Sequence, residues 1–158
     1  MAVAKAVSRT HVERELTAIE PWAARHGWSV LWDEDRLLVV VLMRSVVDRE
    51  RYIFEFTLDD YRELPPSIEL VDPETGEAGT RRSYPGSGRG YFINNNGKPV
   101  TCAPWNRKAY QALGGPHSDW AMTNWAAYRP SHSCLGDILV LLQELIDDRA
   151  SYTGRMAR

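Results

Sequence analysis

Apolar residues recur at helical spacing from Val12 through Leu16 and Ile19 to Ala23. That is one stripe on a helix, not the alternation of a strand. Thr10 and Glu13 have capping-box spacing, and His26-Gly27 supplies a stop. The pattern predicts a helix over residues 10–26, with residues 1–9 a frayed lead-in. The period then shortens. Four apolar segments follow, near Trp28–Trp32, Leu37–Met43, Tyr52–Leu58 and Ile68–Val71. The second is a continuous apolar run, suited to a strand covered on both faces or central in a sheet. In the third, Glu55 and Thr57 are expected to face outward. The links at 33–35, 45–51 and 59–66 are short and polar. Parallel crossovers need a dozen residues or more, so these strands pair consecutively as an antiparallel meander.

Residues 72–91 read as loop, turn-rich at Asp72-Pro73-Glu74-Thr75-Gly76 and flexible at Gly86-Ser87-Gly88-Arg89-Gly90. That glycine run lacks the strand, helix and lysine of a phosphate cradle. Residues 91–133 read as mostly irregular, with a short helix near Trp105–Leu113. Leu135, Ile138, Leu139, Leu142, Leu145 and Ile146 then trace the stripe of a last helix, with Ser133 as its expected cap. The fold class is α+β in a single domain over residues 10–150. Residues 1–9 and 151–158 are expected to be flexible ends.

Composition changes this picture little. The chain has 158 residues, 44% of them hydrophobic and 25% charged, as in an ordinary globular domain. A net charge of −2 predicts no general attraction to nucleic acid or anionic membranes. Arg81, Arg82 and Arg89 remain a candidate basic rim. Two cysteines are too few for a disulfide framework and fit a reducing cytoplasm.

Candidate chemistry centres on Cys102. It follows Asn94-Asn95-Asn96-Gly97-Lys98-Pro99-Val100-Thr101 and precedes Ala103-Pro104-Trp105. Turn-forming and polar neighbours place it on an ordered loop, where a partner can reach the thiol. Asn94 is a candidate donor to an oxyanion, and the same stretch equally reads as a turn. His117 and Asp119, in Gly114-Gly115-Pro116-His117-Ser118-Asp119-Trp120, are candidates to orient or deprotonate an incoming nucleophile. The bland alternative is a solvated His and an Asp that caps a turn. Cys134 reads as a packing residue in the first turn of the last helix. Cys102, His117, His132 and Cys134 lack the short ligand spacings of a zinc site, so no metal and no cofactor is expected.

Three features resemble ubiquitin-conjugating enzymes of the UBC-like fold, in a divergent bacterial form. The first is Tyr61-Arg62-Glu63-Leu64-Pro65-Pro66 after the third strand, where the family has a tyrosine-proline pair and then two prolines. Here Arg62 replaces the first proline. The second is Asn94, eight residues before Cys102. The family spaces the asparagine of its His-Pro-Asn motif from its cysteine in this way; here Phe92 and Ile93 replace the histidine and proline. The third is a tryptophan after the cysteine, followed by the helix from Leu135. The resemblance spans residues 10–147. It implies an N-terminal helix, a four-stranded antiparallel meander, a long active-site loop and a C-terminal helix.

It further implies that Cys102 receives the C-terminus of a ubiquitin-like or other protein as a thioester. The donor would be an adenylating activating enzyme docked on the first helix. Cys102 would then pass the tail to a target. Bacterial relatives of this kind occur in antiphage defence systems, with deconjugating metallopeptidases. Thioester exchange is close to neutral in free energy, so such a thiol needs access more than a depressed pKa. Two other readings stand beside this one. One is a non-catalytic binding module of the same fold for a ubiquitin-like partner. The other is a thiol hydrolase using Cys102, His117 and Asp119.

Overall fold

The computed structural model describes residues 3–113 and 121–157. Helix α1 spans Lys5–His26 and ends on Gly27 with φ 68°, the left-handed cap that glycine adopts without strain. Its start corrects the sequence reading. Ala4 is the N-cap, and its carbonyl accepts the N–H groups of Val7 and Ser8. Val3 N–H is tied to Asp60 Oδ1 at 2.7 Å, and Ser8 is fully buried. Residues 3–9 are therefore ordered, and Thr10 does not cap. It lies inside the helix and donates to Ala6 O.

The meander is present, as β1 (Ser29–Asp33), β2 (Leu38–Arg44), β3 (Arg51–Thr57) and β4 (Ser67–Val71), in the order β1-β2-β3-β4. Every pair is antiparallel, with Val41 opposite Val30 and Phe54, and Phe54 opposite Leu70. The two faces of the sheet differ. Val39, Val41, Met43, Tyr52, Phe54, Phe56, Ile68 and Leu70 are all fully buried. Val40, Leu42 and Ile53 point the other way and are only half-buried, and Leu31 in the edge strand is exposed. The apolar run of β2 is thus that of a strand central in its sheet, one of the two expectations, and it is covered on one face only. Glu55 and Thr57 lie on the outer face, as their alternation predicts.

Helix α4 (Leu135–Asp147) covers the inner face together with α1. Leu135, Ile138, Leu139, Leu142, Leu145 and Ile146 are all fully buried, which realises the predicted stripe. Each such side chain contributes about 1.5–3 kcal/mol of transfer free energy before its ordering entropy is subtracted. Cys134, not Ser133, is the N-cap. Polar seams fix the layers: Trp28 Nε1 donates to Gln143 Oε1 (2.8 Å) and Ser45 Oγ to Ile146 O (2.6 Å).

A second sheet was not expected. It joins β5 (Pro85–Ser87), β6 (Phe92–Asn95), β7 (Lys98–Thr101) and β8 (Tyr152–Arg155) in the order β7-β6-β5-β8. Residues 72–91 are therefore not all loop. The glycine run is tightly packed: a Cβ on Gly88, whose φ is 53°, would come within 2.4 Å of the Phe92 ring. Residues 151–157 are not a loose end either. Tyr152 Oη meets Tyr52 Oη at 2.8 Å and donates to the Asp48 carboxylate, while the Arg155 guanidinium pairs with Glu50. The predicted short helix is α2 (Arg107–Leu113), and one turn, α3 (Trp125–Tyr128), precedes α4. The architecture is α+β, with an N-terminal helix, a four-stranded antiparallel sheet and a C-terminal helix. No helix among the described residues is long and apolar enough to cross a membrane.

Candidate functional site

Strands β6 and β7 form a hairpin turned by Asn96 and Gly97, with φ 52° and 83°. Asn-Gly is the preferred pair for such a two-residue turn, because both positions need positive φ. β7 is an edge strand, so Pro99 is tolerated without a partner for the N–H it lacks. Cys102 follows β7 directly, and its N–H donates to Tyr91 O at 2.7 Å. The thiol is half-buried, and burial pushes it above the ordinary thiol range.

The residues after Cys102 fix its position. Asn106 is fully buried and bridges three elements. Its Oδ1 accepts from Ile68 N–H (2.9 Å) and Lys108 N–H (3.2 Å), and its Nδ2 donates to Thr101 O (2.8 Å). Trp105 is fully buried and stacks on Tyr91, with ring centroids 6.0 Å apart. Arg107 ties α2 to the proline turn: its N–H donates to Pro66 O, and its guanidinium to Pro65 O and the Asp59 carboxylate. Pro65 and Pro66 are buried, and the stretch from Tyr61 to Pro66 is fastened to α2 through them. Asn106 and Arg107 are the positioning residues that sequence reasoning missed. Nothing in a lone Asn-Arg pair marks them; only the fold brings β4, β7 and α2 to one point.

The hairpin register separates Asn94 from Cys102. Asn94 pairs with Pro99 and Phe92 with Thr101, and Cys102 bonds to Tyr91. Side chains alternate along a strand, so Asn94 shares a face with Phe92 and Thr101, while Cys102 takes the face of Tyr91. Three residues of rise add about 10 Å along the strand. Asn94 is exposed and serves the hairpin, so this arrangement does not bring it to the thiol. Its neighbour Asn95 donates from Nδ2 to Ala112 O at the end of α2. His117 and Asp119 lie outside the described residues.

Arg62 adopts φ 80°, a value closed to proline, whose ring holds φ near −65°. The tyrosine turn therefore departs in geometry, not only in sequence, from a tyrosine-proline pair. Its outward guanidinium meets Glu15 Oε1 at 2.7 Å. Glu15 Oε2 accepts from Tyr61 Oη and from Leu135 N–H, both at 2.7 Å. One carboxylate of α1 thus sits on the N-terminal dipole of α4 and pins the turn beside it. Burial, reinforced by Glu15, drives the Tyr61 phenol far above its usual range. Cys134, next to this cluster, is half-buried, and burial raises its thiol more than the Asp137 N–H lowers it.

The candidate basic rim is neutralised at two of its three positions. Arg82 pairs with Asp72 and Glu74, and Arg89 with Asp148. The Asp72 carboxyl is held down at about 2, chiefly by the Glu74 backbone N–H and also by Arg82.

No protein-family model matches the chain, and no curated protein matches it either. Fold and geometry therefore carry the functional reading.

Proposed function

We propose that this protein is an acyl carrier of the ubiquitin-conjugating type, in which Cys102 holds the C-terminus of a ubiquitin-like or other protein as a thioester and passes it on. The observation that carries this reading is the place of Cys102. It is a part-exposed thiol directly after an edge strand, on a rigid mount of Asn106, Trp105 and the Pro65-Pro66 turn. A thiol raised by burial suits this task. It exchanges with an incoming thioester by access rather than by acidity, and the thioester it forms has a poor leaving group for water. The sulfur attacks the incoming thioester carbon and the donor's sulfur leaves, taking up the proton that Cys102 gave up; an acceptor nucleophile then attacks the same acyl carbon, and Cys102 leaves as the thiol with the acceptor's proton. His117 and Asp119 are proposed to orient or deprotonate the incoming nucleophile. An activating enzyme is the expected donor, and an antiphage defence system with a deconjugating metallopeptidase the expected setting.

A second reading is a binding module of the same fold. The Asn94 side chain on the far face of the hairpin favours it, because an acyl transferase needs a donor at the oxyanion. One experiment separates the two. The protein is incubated with a candidate activating enzyme, ATP and a tagged ubiquitin-like partner, then run on a non-reducing gel. A band that thiol removes and Cys102→Ala abolishes is the expected result. Non-covalent binding that survives Cys102→Ala would replace it with the module. Release of free partner without ATP would point to a thiol hydrolase.

A further inference from the structure

Four consecutive residues, the last of β5 and the three after it, hold positive φ: Ser87 60°, Gly88 53°, Arg89 53° and Gly90 81°. Glycine accepts this region, whereas serine and arginine are held there against their preference. The contacts that hold them are specific. Gly90 N–H donates to Ser87 O (3.2 Å) and Tyr91 N–H to Gly88 O (3.0 Å). Arg89 N–H donates to Ser151 Oγ (3.1 Å), and its guanidinium pairs with Asp148 at 2.7 Å. Backbone constraint of this kind gathers where a side chain must be placed, and the side chain this turn delivers is Tyr91.

Tyr91 stands opposite Cys102. Its carbonyl accepts Cys102 N–H at 2.7 Å, one step beyond the Phe92–Thr101 pair of the β6–β7 ladder. Residues opposite one another in an antiparallel pair share a face and have Cβ atoms about 4.5–5.5 Å apart. The ring is also held from behind. It is part-buried against the core, and its plane lies 23° from that of the fully buried Trp105, with centroids 6.0 Å apart. The Cys102–Trp105 loop is thus closed on Tyr91 at both ends, by a hydrogen bond at Cys102 and a ring stack at Trp105. Arg89 lies in electrostatic reach of the Tyr91 phenol but is already paired with Asp148. Burial raises the Cys102 thiol, as packed groups beside it require.

We propose that the Tyr91 ring is a specificity-determining wall on one side of Cys102, which lets a slender acyl donor reach the sulfur and turns bulky ones away. The inference rests on the carrier reading of Cys102, but its test uses no activating enzyme and no carried protein. The full chain is alkylated with iodoacetamide and with N-tert-butyl-iodoacetamide. The two share one electrophilic carbon, from which the thiolate displaces iodide, and differ in bulk. Rates at Cys102 and Cys134 are read separately by peptide mass spectrometry and divided by those of N-acetylcysteine. The quantity compared is the preference for the small reagent over the bulky one.

At Cys102 this preference is expected to exceed that of N-acetylcysteine about tenfold, and Tyr91→Ala is expected to remove most of the excess. Tyr91→Phe is expected to keep it, since the ring and not the hydroxyl forms the wall, and Tyr91→Trp to enlarge it. The preference at Cys134 is expected to be the same in every variant. Circular dichroism reports the folding of each. Tyr91→Leu, which keeps an apolar side chain against Trp105 without the breadth of a ring, carries the same expectation if Tyr91→Ala does not fold. Equal acceleration of both reagents at Cys102 in Tyr91→Ala marks a loosened mount, not a wall, and overturns the proposal. So does a preference that Tyr91→Ala leaves intact or that Tyr91→Phe loses. A missing thiol-sensitive band in the wild type overturns the carrier reading and this inference with it, and the alkylation rates tell the two failures apart.

Discussion

Cys102 and Cys134 are alike in burial and unlike in how they are held. Both are half-buried, and burial raises both thiols. Cys102 is positioned by the strand hairpin before it and the residues after it: a backbone bond to Tyr91, then Asn106 stitching Thr101 to Ile68. Cys134 is positioned from the other end of the chain, by a Glu15 carboxylate that accepts Leu135 N–H across 120 residues of sequence. The comparison teaches that exposure and acidity do not distinguish a carrier thiol from a capping one. The mount does. A local hairpin can present a thiol at a fixed point to an incoming group, whereas the start of a helix spends its geometry on the helix.

The largest expected effect falls on the chemistry. Cys102→Ala should abolish the thiol-sensitive band, and Cys134→Ala should change its rate by less than about twofold. Equal loss in both would erase the distinction. Next comes the mount. Asn106→Ala leaves Ile68 N–H and Thr101 C=O buried without partners, which should cost about 2–4 kcal/mol in urea unfolding. Glu15→Ala strands Tyr61 Oη and Leu135 N–H and should cost a similar amount. A change below about 1 kcal/mol in either would show that side would not need its anchor. A smaller gain is expected at the helix. Cys134 caps α4 with extended backbone angles, φ −141° and ψ 164°. Cys134→Ser should therefore stabilise by about 0.5 kcal/mol, a rise of about 1–2 °C in Tm. The smallest effect concerns pH. Both thiols should alkylate more slowly than N-acetylcysteine at pH 8, with rates still climbing above the ordinary thiol pKa, as mass spectrometry of iodoacetamide adducts would measure. A thiolate plateau below that point at Cys102 would instead mark an activated nucleophile.

Burial decided what could be read in the sequence. The stripe of α4 and the strands β1 to β4 were legible, because a core imposes a period on side chains such as Ile138, Leu142, Phe54 and Phe56. The second sheet was not. Its strands are three or four residues long, and Pro85-Gly86-Ser87 and Tyr152-Thr153-Gly154-Arg155 carry no apolar alternation. β8 is held by contacts far apart in sequence, Tyr152 to Tyr52 and Asp48 and Arg155 to Glu50, which only the fold reveals. The hairpin signal was present in Asn96-Gly97, between Asn95 and Lys98, but it competed with a motif reading of Asn94. The early start of α1 was hidden because Ala4 caps through its backbone alone. At the site, the cysteine and the Tyr61-to-Pro66 turn were legible as residues. Their connection through Asn106 and Arg107 was not, since it depends on contacts between elements 38 to 48 residues apart.

Pro99 sits in the last strand of the small sheet, at a place where another chain would look for a hydrogen to share. It has none to give. The sheet stops at β7, and the chain's own α2 and β4 pack on that strand and bury Pro99, Val100 and Thr101, so the strand leading to the sulfur stays outermost in its sheet without lying open.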